Sequence, residues 1–343
     1  MRINFFWIPL FFGFSLFSDA PVILVTGGAG YIGSHTCKAL KEAGFLPVTY
    51  DSLASGEKKA VQWGPFFEGD LLDEEALECV FTKYKPEAVF HFAALRNVGD
   101  SMKDPSSYYT NNVVGSIYLL NAMIKHKVKY IIFSSSCSVY GNCSKEVISE
   151  GCAQAPINPY GMSKHMVEKI LSDYAQVYSL KYMILRYFNA AGIEAGLRRS
   201  GFAYNFVIPR AMQALYDLKR PLEVFGAQYP TQDGTAIRDY IHVKDLASAH
   251  VKAFHHLKKT DMSDDFNLGT GKGYSVLEII DAIEKVTHRK VPYELKNPRE
   301  GDAAKAIADT KKAEEILDFK PLYSDLNTII QSEWDSFLGE KQE

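Results

Sequence analysis

Cysteine is scarce in this 343-residue chain: Cys37, Cys79, Cys137, Cys143 and Cys152, an odd number without a CxxC pair. That argues against a disulfide framework and a thiolate zinc site, so no metal is expected, and it fits a reducing compartment. An excess of charge of one sign is also lacking. Lys+Arg number 38 against 41 Asp+Glu, a formal net charge of −3. Broad electrostatic binding to nucleic acid or to an anionic membrane is thereby disfavoured, though local basic pockets are not. Internal repeats and low-complexity tracts are absent too. What is present is 47% hydrophobic residues with 23% charged, enough to bury a large core in one large domain or two.

One long apolar run stands apart. Residues 1–20 read MRINFFWIPLFFGFSLFSDA, with a single Arg followed by a nearly unbroken apolar stretch from Ile3 to Phe17. It is shorter than the roughly 20 residues a spanning helix needs. It is similar to the apolar region of a signal peptide, with Ser18-Asp19-Ala20 as a cleavage-like end that Pro21 makes poor. Three readings stay open: an extension without a role of its own, a membrane attachment, or a cleaved signal. The next segment calls for an intracellular cofactor, so a cytoplasmic protein is expected, with membrane attachment through residues 1–20 as the alternative.

Pro21–Thr26 is a short β-branched run that predicts a buried strand. Gly27-Gly28-Ala29-Gly30-Tyr31-Ile32-Gly33 follows at once, and Ser34–Leu40 reads as a helix. Strand, glycine turn, helix is the context a dinucleotide site requires: glycines let backbone approach a pyrophosphate, and the helix N-terminus offers free N–H groups. The spacing is GxxGxxG rather than the plain GxGxxG. Asp51 ends a second apolar run eighteen residues after Gly33. A carboxylate there accepts from an adenosine ribose and repels a 2′-phosphate, favouring NAD over NADP. The ordinary alternative for Asp51 is a cap or turn residue.

Further strands are predicted at Phe66–Asp70, Ala88–Phe92, Tyr130–Phe133 and Tyr182–Leu185, with helices at Asn111–Lys125 and Ser163–Val177 between them. This alternation predicts an α/β fold, a parallel sheet with helices on both faces, whose ligands bind beyond the C-terminal strand ends. Ser134-Ser135-Ser136 falls at such an end. Tyr160 and Lys164 follow, four apart and on one face if helical. An ammonium beside a phenol favours phenolate, so Tyr160 is the candidate base, Lys164 its tuner and Ser136 a second partner for the same substrate oxygen. A second YxxxK, Tyr240 to Lys244, lies among strand formers. There the two side chains stand about 13 Å apart rather than the roughly 6 Å of a helix. Tyr240 and His242 are read as core strand residues.

Taken together, Val25–His35 (VTGGAGYIGSH), His91–Leu95 (HFAAL), Tyr108–Val113, Phe133–Ser136, Tyr160–Lys164, Leu185–Asn189, Asp233–Val243 (DGTAIRDYIHV) and Arg299–Asp302 resemble the extended short-chain dehydrogenase/reductase family, and within it the UDP-glucose 4-epimerase (UDP-galactose 4-epimerase) branch. The likeness runs from Val22 to about Asp309. It implies a Rossmann-type doubly wound sheet over residues 21–190 and a smaller C-terminal α/β substrate-binding domain over 191–343, with part of 239–257 returning to the first. It implies inversion at C4 of a UDP-hexose through a transient 4-keto sugar, with Tyr160, Ser136 and Lys164 catalytic, and a homodimer.

By position, the resemblance places NAD against Gly27, Gly30, Tyr31, Ile32 and Gly33, against Asp51, Asp70 and Leu71, and against Phe92, Ala93, Arg96 and Asn111. Tyr160, Lys164, Tyr187 and Phe188 complete that set. It places the UDP-sugar against Ser136, Tyr160, Asn189, Phe225, Arg238, Arg299, Asp302 and Ala306. Three departures stand out. Arg96 replaces a frequent Lys; Asn205-Phe206 replaces an Asn-Asn pair; and Ala306 occupies a position whose size gates the sugar 2-substituent, where alanine leaves room for N-acetyl. Competing readings are a nucleotide-sugar 4,6-dehydratase or decarboxylase, a reductase using free cofactor, and a non-catalytic NAD-binding sensor. The first lacks its extra carboxylate, since Ser136 is followed by Cys137-Ser138-Val139-Tyr140; the last needs no base.

Overall fold

The computed structural model describes residues 20–197, 206–298 and 302–342. Residues 1–19, which carry the apolar run, lie outside them, as do Asn205 and Arg299. Among the described residues, no helix is long and apolar enough to cross a membrane, and no cluster of three or more His, Cys, Asp or Glu could hold a metal ion.

Seven parallel strands form the main sheet: β1 (Val22–Thr26), β2 (Leu46–Asp51), β3 (Phe66–Glu68), β4 (Ala88–His91), β5 (Tyr130–Ser136), β6 (Lys181–Tyr187) and, from far along the chain, Asp264–Leu268. Their order is Asp264–Leu268, β6, β5, β4, β1, β2, β3. The order reverses between β1 and β4, which opens a crevice at the carboxyl ends of those strands. Alternation explains why the sheet is covered twice. Ile23, Val25, Phe90, Ile132 and Leu185 point to one face, against Leu40 of helix Tyr31–Glu42 and Leu246, Phe254 and Leu257 of helix Val243–Thr260. Leu24, Val48, Val89, Ile131 and Ile184 point to the other, against Leu77, Phe81, Leu119, Met123, Val167 and Leu171. Every one of these side chains is nearly or fully buried.

Most of the remaining chain builds a smaller body, while Ala313, Leu317 and Phe319 pack back into the core of the main sheet. Strand β7 (Asn189–Ala191), β8 (Leu222–Phe225) and β9 (Ile237–His242) come first; Gly273–Ser275, Tyr293–Lys296 and Lys305–Ala306 come later. β9 is central: it pairs with β7, with Gly273–Ser275 and with Lys305–Ala306. Ile208, Met212, Ile279, Ile283, Ile330 and Trp334 form its core.

One predicted element differs in kind. The expected helix over 111–125 is regular only over Gly115–Lys125; Tyr109–Val114 is a wider π turn. The cause is Asn112. Its side chain leaves the helix face to accept from the Leu95 N–H at 2.8 Å and to donate to the Leu95 carbonyl and the Ser163 hydroxyl, both at 2.9 Å. Such bulges mark places where a side chain is needed off the regular helical position.

Candidate active site

The glycine turn is built by steric necessity. Gly27 has φ +72°, and a Cβ there would lie 2.6 Å from the Ala93 nitrogen, so β1 and the chain after β4 touch backbone to backbone. At Gly33 a Cβ would lie 2.2 Å from the Gly27 carbonyl. Helix Tyr31–Glu42 therefore starts directly on the turn, with Gly30 as an N-cap that has no side chain to bond the first N–H groups. A helix start left open in this way, at a sheet crevice, fits a pyrophosphate. Asp51 closes the far side. Its carboxylate accepts from the Ala29 N–H at 3.0 Å and the Leu53 N–H at 2.9 Å. The turn-fixing reading of Asp51 holds, and the residue also lines the crevice. Burial holds its pKa above the ordinary carboxylate value, with the two backbone N–H groups opposing. The residues present thus suit a dinucleotide with free ribose hydroxyls.

Ser136 ends β5 and Tyr160 opens helix Pro159–Tyr178. The helix begins there because Asn158 caps it, accepting from the Gly161 N–H at 2.8 Å, and Pro159 takes the first position, where no N–H is missed. Tyr160 lies beside Ser136, whose hydroxyl donates to the Ser138 hydroxyl at 3.2 Å, and packs edge-on with Tyr108 at 6.5 Å between centroids. Lys164, one turn on and only 4% exposed, donates to the Ser134 carbonyl at 2.8 Å.

Electrostatics depart from expectation here. Burial pushes the Tyr160 phenol above its ordinary value; the Ser136 hydrogen bond opposes this, Cys137 adds to it, and the Arg96 guanidinium opposes it again. Lys164 does not lower it in the protein by itself. Its own pKa falls to about 7 through burial, against the pull of Glu168, so much of its charge is lost near neutral pH. Lowering of the phenol by the protein falls to the Ser136 hydroxyl and to Arg96.

The second YxxxK, expected to lie in a strand, straddles a strand end, since β9 stops at His242. Tyr240 is buried in β9, while Lys244 lies on the next helix, 3.1 Å from Glu194. His242 is buried in the same strand.

One cleft of about 1050 Å³ runs from the glycine turn between the two bodies. All the candidate residues that are described line it: the turn, Asp51, Asp70, Leu71, Phe92, Ala93, Arg96 and Asn111, then Ser136, Tyr160, Lys164, Tyr187, Phe188, Asn189, Phe225, Arg238, Asp302 and Ala306. Arg299 lies outside the described residues. Arg238 and Ala306 sit opposite each other in paired strands, and Ala306 is 7% exposed. Phe206 lines the cleft as well, with the Arg96 guanidinium 5.3 Å from its ring centroid, so two of the three departures meet.

Supporting residues escaped the sequence reading. Asn112 clamps the Leu95 backbone. His91 bridges Thr26 at 2.7 Å and Ser116 at 2.9 Å, tying β1, β4 and the helix after the π turn. Glu168 holds Arg186 by two hydrogen bonds of 2.9 and 2.8 Å and accepts from Ser135, behind the serine strand. The only signal for them was a polar residue inside an apolar run.

A family model described as the NAD dependent epimerase/dehydratase family matches residues 23–269. The chain belongs to that family. Among curated relatives it is similar to the UDP-glucose 4-epimerase of Rhizobium leguminosarum bv. trifolii, 46% identical over 91% of this chain and 96% of the relative. Among solved structures it resembles UDP-glucose 4-epimerase from Brucella ovis in complex with NAD, with TM-score 0.89, 48% identity and coverage of 93% of this chain and 98% of that one. The enzyme from Bifidobacterium longum in complex with NAD+ and UDP gives TM-score 0.87 at 37% identity, covering 93% and 99%. The expected kinship to the UDP-glucose 4-epimerase branch, the Rossmann-type fold and the NAD cofactor are thereby met. The family's cofactor accounts for a glycine turn built backbone on backbone, with an uncapped helix start and a buried carboxylate beside it.

Proposed function

We propose that this chain inverts C4 of a UDP-hexose, with Tyr160 as the base. The observation that carries the reading is Tyr160 at the start of its helix beside Ser136 at the end of β5, with Lys164 one turn on, in the same cleft as the glycine turn. Ser136 and Tyr160 hold the sugar 4-oxygen between them, and Tyr160 takes its proton. NAD, when bound, supplies the hydride acceptor and returns the hydride. Lys164 orients the ribose side and charges as the site becomes polar. After the 4-keto sugar turns over in the cleft, Tyr160 returns the proton and the product leaves with C4 inverted. Arg238, Arg299 and Asp302 hold the diphosphate and ribose, and Asn189 and Phe225 the rest of the nucleotide. Asp70, Leu71, Phe92, Ala93, Asn111, Tyr187 and Phe188 enclose the cofactor.

Ala306 extends the reading to UDP-N-acetylhexosamines, since its methyl leaves space where a larger side chain would fill the cleft. Residues 21–190, with helix Val243–Thr260 and strand Asp264–Leu268 that return to the main sheet beyond the expected 239–257, form the cofactor half, and most of the rest of 191–343 forms the substrate half. The protein works as a homodimer in the cytoplasm. Following C4 epimerisation of UDP-glucose by NMR tests the reaction. The wild type converts it without added reductant, and Tyr160→Phe loses about 10²- to 10⁴-fold. Undiminished turnover in Tyr160→Phe would remove the proposed base.

A further inference from the structure

Three of the five sulfurs converge beside the cleft. Cys152 belongs to a buried cluster with Val139, Tyr140, Ile148, Phe188 and Ala306, and Cys137 and Cys143 pack against its edge. Cys143 is half-buried and packs against the same cluster as Cys152, whose sulfur meets the Ser149 hydroxyl at 3.7 Å. Both lie in the loop that joins the strand of Ser136 to the helix of Tyr160. That loop is tied to the Ala306 strand and the residues after it: the Ile148 N–H donates to the Ile307 carbonyl at 2.8 Å, the Asp309 N–H donates to the Ile148 carbonyl at 2.9 Å, and Lys305 pairs with the exposed Glu146 at 3.5 Å. Ile148, Ile157 and Asn158 of this loop line the cleft.

We propose that Cys143 and Cys152 form a reversible thiol–disulfide pair, which a low-molecular-weight disulfide oxidises and which, once joined, pins this loop and slows turnover. The half-buried Cys143 thiolate attacks one sulfur of the reagent, forming a mixed disulfide and releasing one thiolate. The Cys152 thiolate then attacks the Cys143 sulfur, forming the internal bond and releasing the second thiolate. Two protons leave the cysteines and two electrons pass to the reagent, which ends as two thiols.

The other sulfurs show why this pair is singled out. Burial pushes the Cys37 thiol up to about 12 and the Cys137 thiol up to about 11. At Cys152 burial acts in the same sense, but the Ser149 hydroxyl and N–H, Cys143 and the field of Lys145 outweigh it and hold the thiol below its ordinary value. A lowered thiol beside a second, more accessible one suits an attacking and resolving couple. Cys79 is exposed and has no sulfur in the same cluster.

The slowing rests on the epimerase reading, and the reduced protein's own turnover tests that reading separately. The test is incubation of the full chain with oxidised glutathione, alkylation of remaining thiols, and peptide mapping. The expected result is a peptide linking Cys143 to Cys152, slower tryptic cleavage after the exposed Lys145, and a several-fold fall in kcat/KM that dithiothreitol reverses. Cys143→Ser, at the edge of the cluster, keeps the reduced enzyme's turnover and loses the response. Glutathione carried only on Cys79, a linked pair with unchanged kinetics and cleavage, or inhibition that persists in Cys143→Ser would each overturn the proposal, the last by assigning the effect to Cys137.

Discussion

At the scale of single residues, burial sets the chemistry more than sequence neighbours do. His250 is fully buried among Phe92, Tyr187 and Phe90, donates from Nδ1 to the Leu246 carbonyl at 2.8 Å, and has its other ring nitrogen without a partner among the described residues. Burial pushes its pKa down to about 4, with the Leu246 carbonyl opposing. An unfolded histidine takes its proton near pH 6.5. The folded state therefore binds fewer protons between about pH 6.5 and 4, and stability falls as pH drops through that window. His250→Leu removes this loss. Urea midpoints at about pH 8 and pH 5 should differ less in His250→Leu than in the wild type; an equal drop in both would place the acid sensitivity elsewhere, with buried His91 the next group. Ala306 carries a specificity prediction. Ala306→Tyr fills the sugar end of the cleft, so UDP-N-acetylglucosamine turnover should fall at least tenfold while UDP-glucose turnover changes little. Parallel assays check it, and equal losses on both substrates would sink the gate.

At the scale of elements, turns and caps were legible and irregularities were not. The strand, glycine turn and first helix follow from local chemistry, because β-branched residues and close-approach glycines leave few alternatives. The helix of Tyr160 starts earlier than apolar periodicity predicts, at Pro159, because a capping Asn and an N1 proline outweigh the polar residues that follow. Asn158→Ala should lower stability by about 1 kcal/mol. It should also cut kcat more than KM, since the cap sets where the Tyr160 phenol points. A stability loss with untouched kcat would show that the first turn holds without the cap. The π turn at Tyr109–Val114 was invisible beforehand, because its cause is a bond from Asn112 to a backbone seventeen residues away.

At the scale of the whole molecule, helix Pro159–Tyr178 does two things. Its start carries Tyr160 into the cleft, while Met166, Val177 and Tyr178 are exposed along its length, at 39, 70 and 53%. An apolar stripe along this helix suits a second copy of the chain. Sedimentation should give twice the chain mass, and Val177→Asp should shift it toward one chain at micromolar concentration; a wild type that sediments as a single chain would end the dimer reading.

The sequence by itself determined the parallel sheet, the glycine turn and the placing of Tyr160 on a helix and Tyr240 in a strand, because strand alternation, steric demand and helical spacing are local properties of the chain. Only the tertiary structure decided that Phe206 meets Arg96, that Lys164 sits where burial pushes its pKa down, and that Cys143 packs against the cluster of Cys152 and Ala306. Those outcomes depend on which distant segments share a desolvated space, and no residue's own preferences encode that.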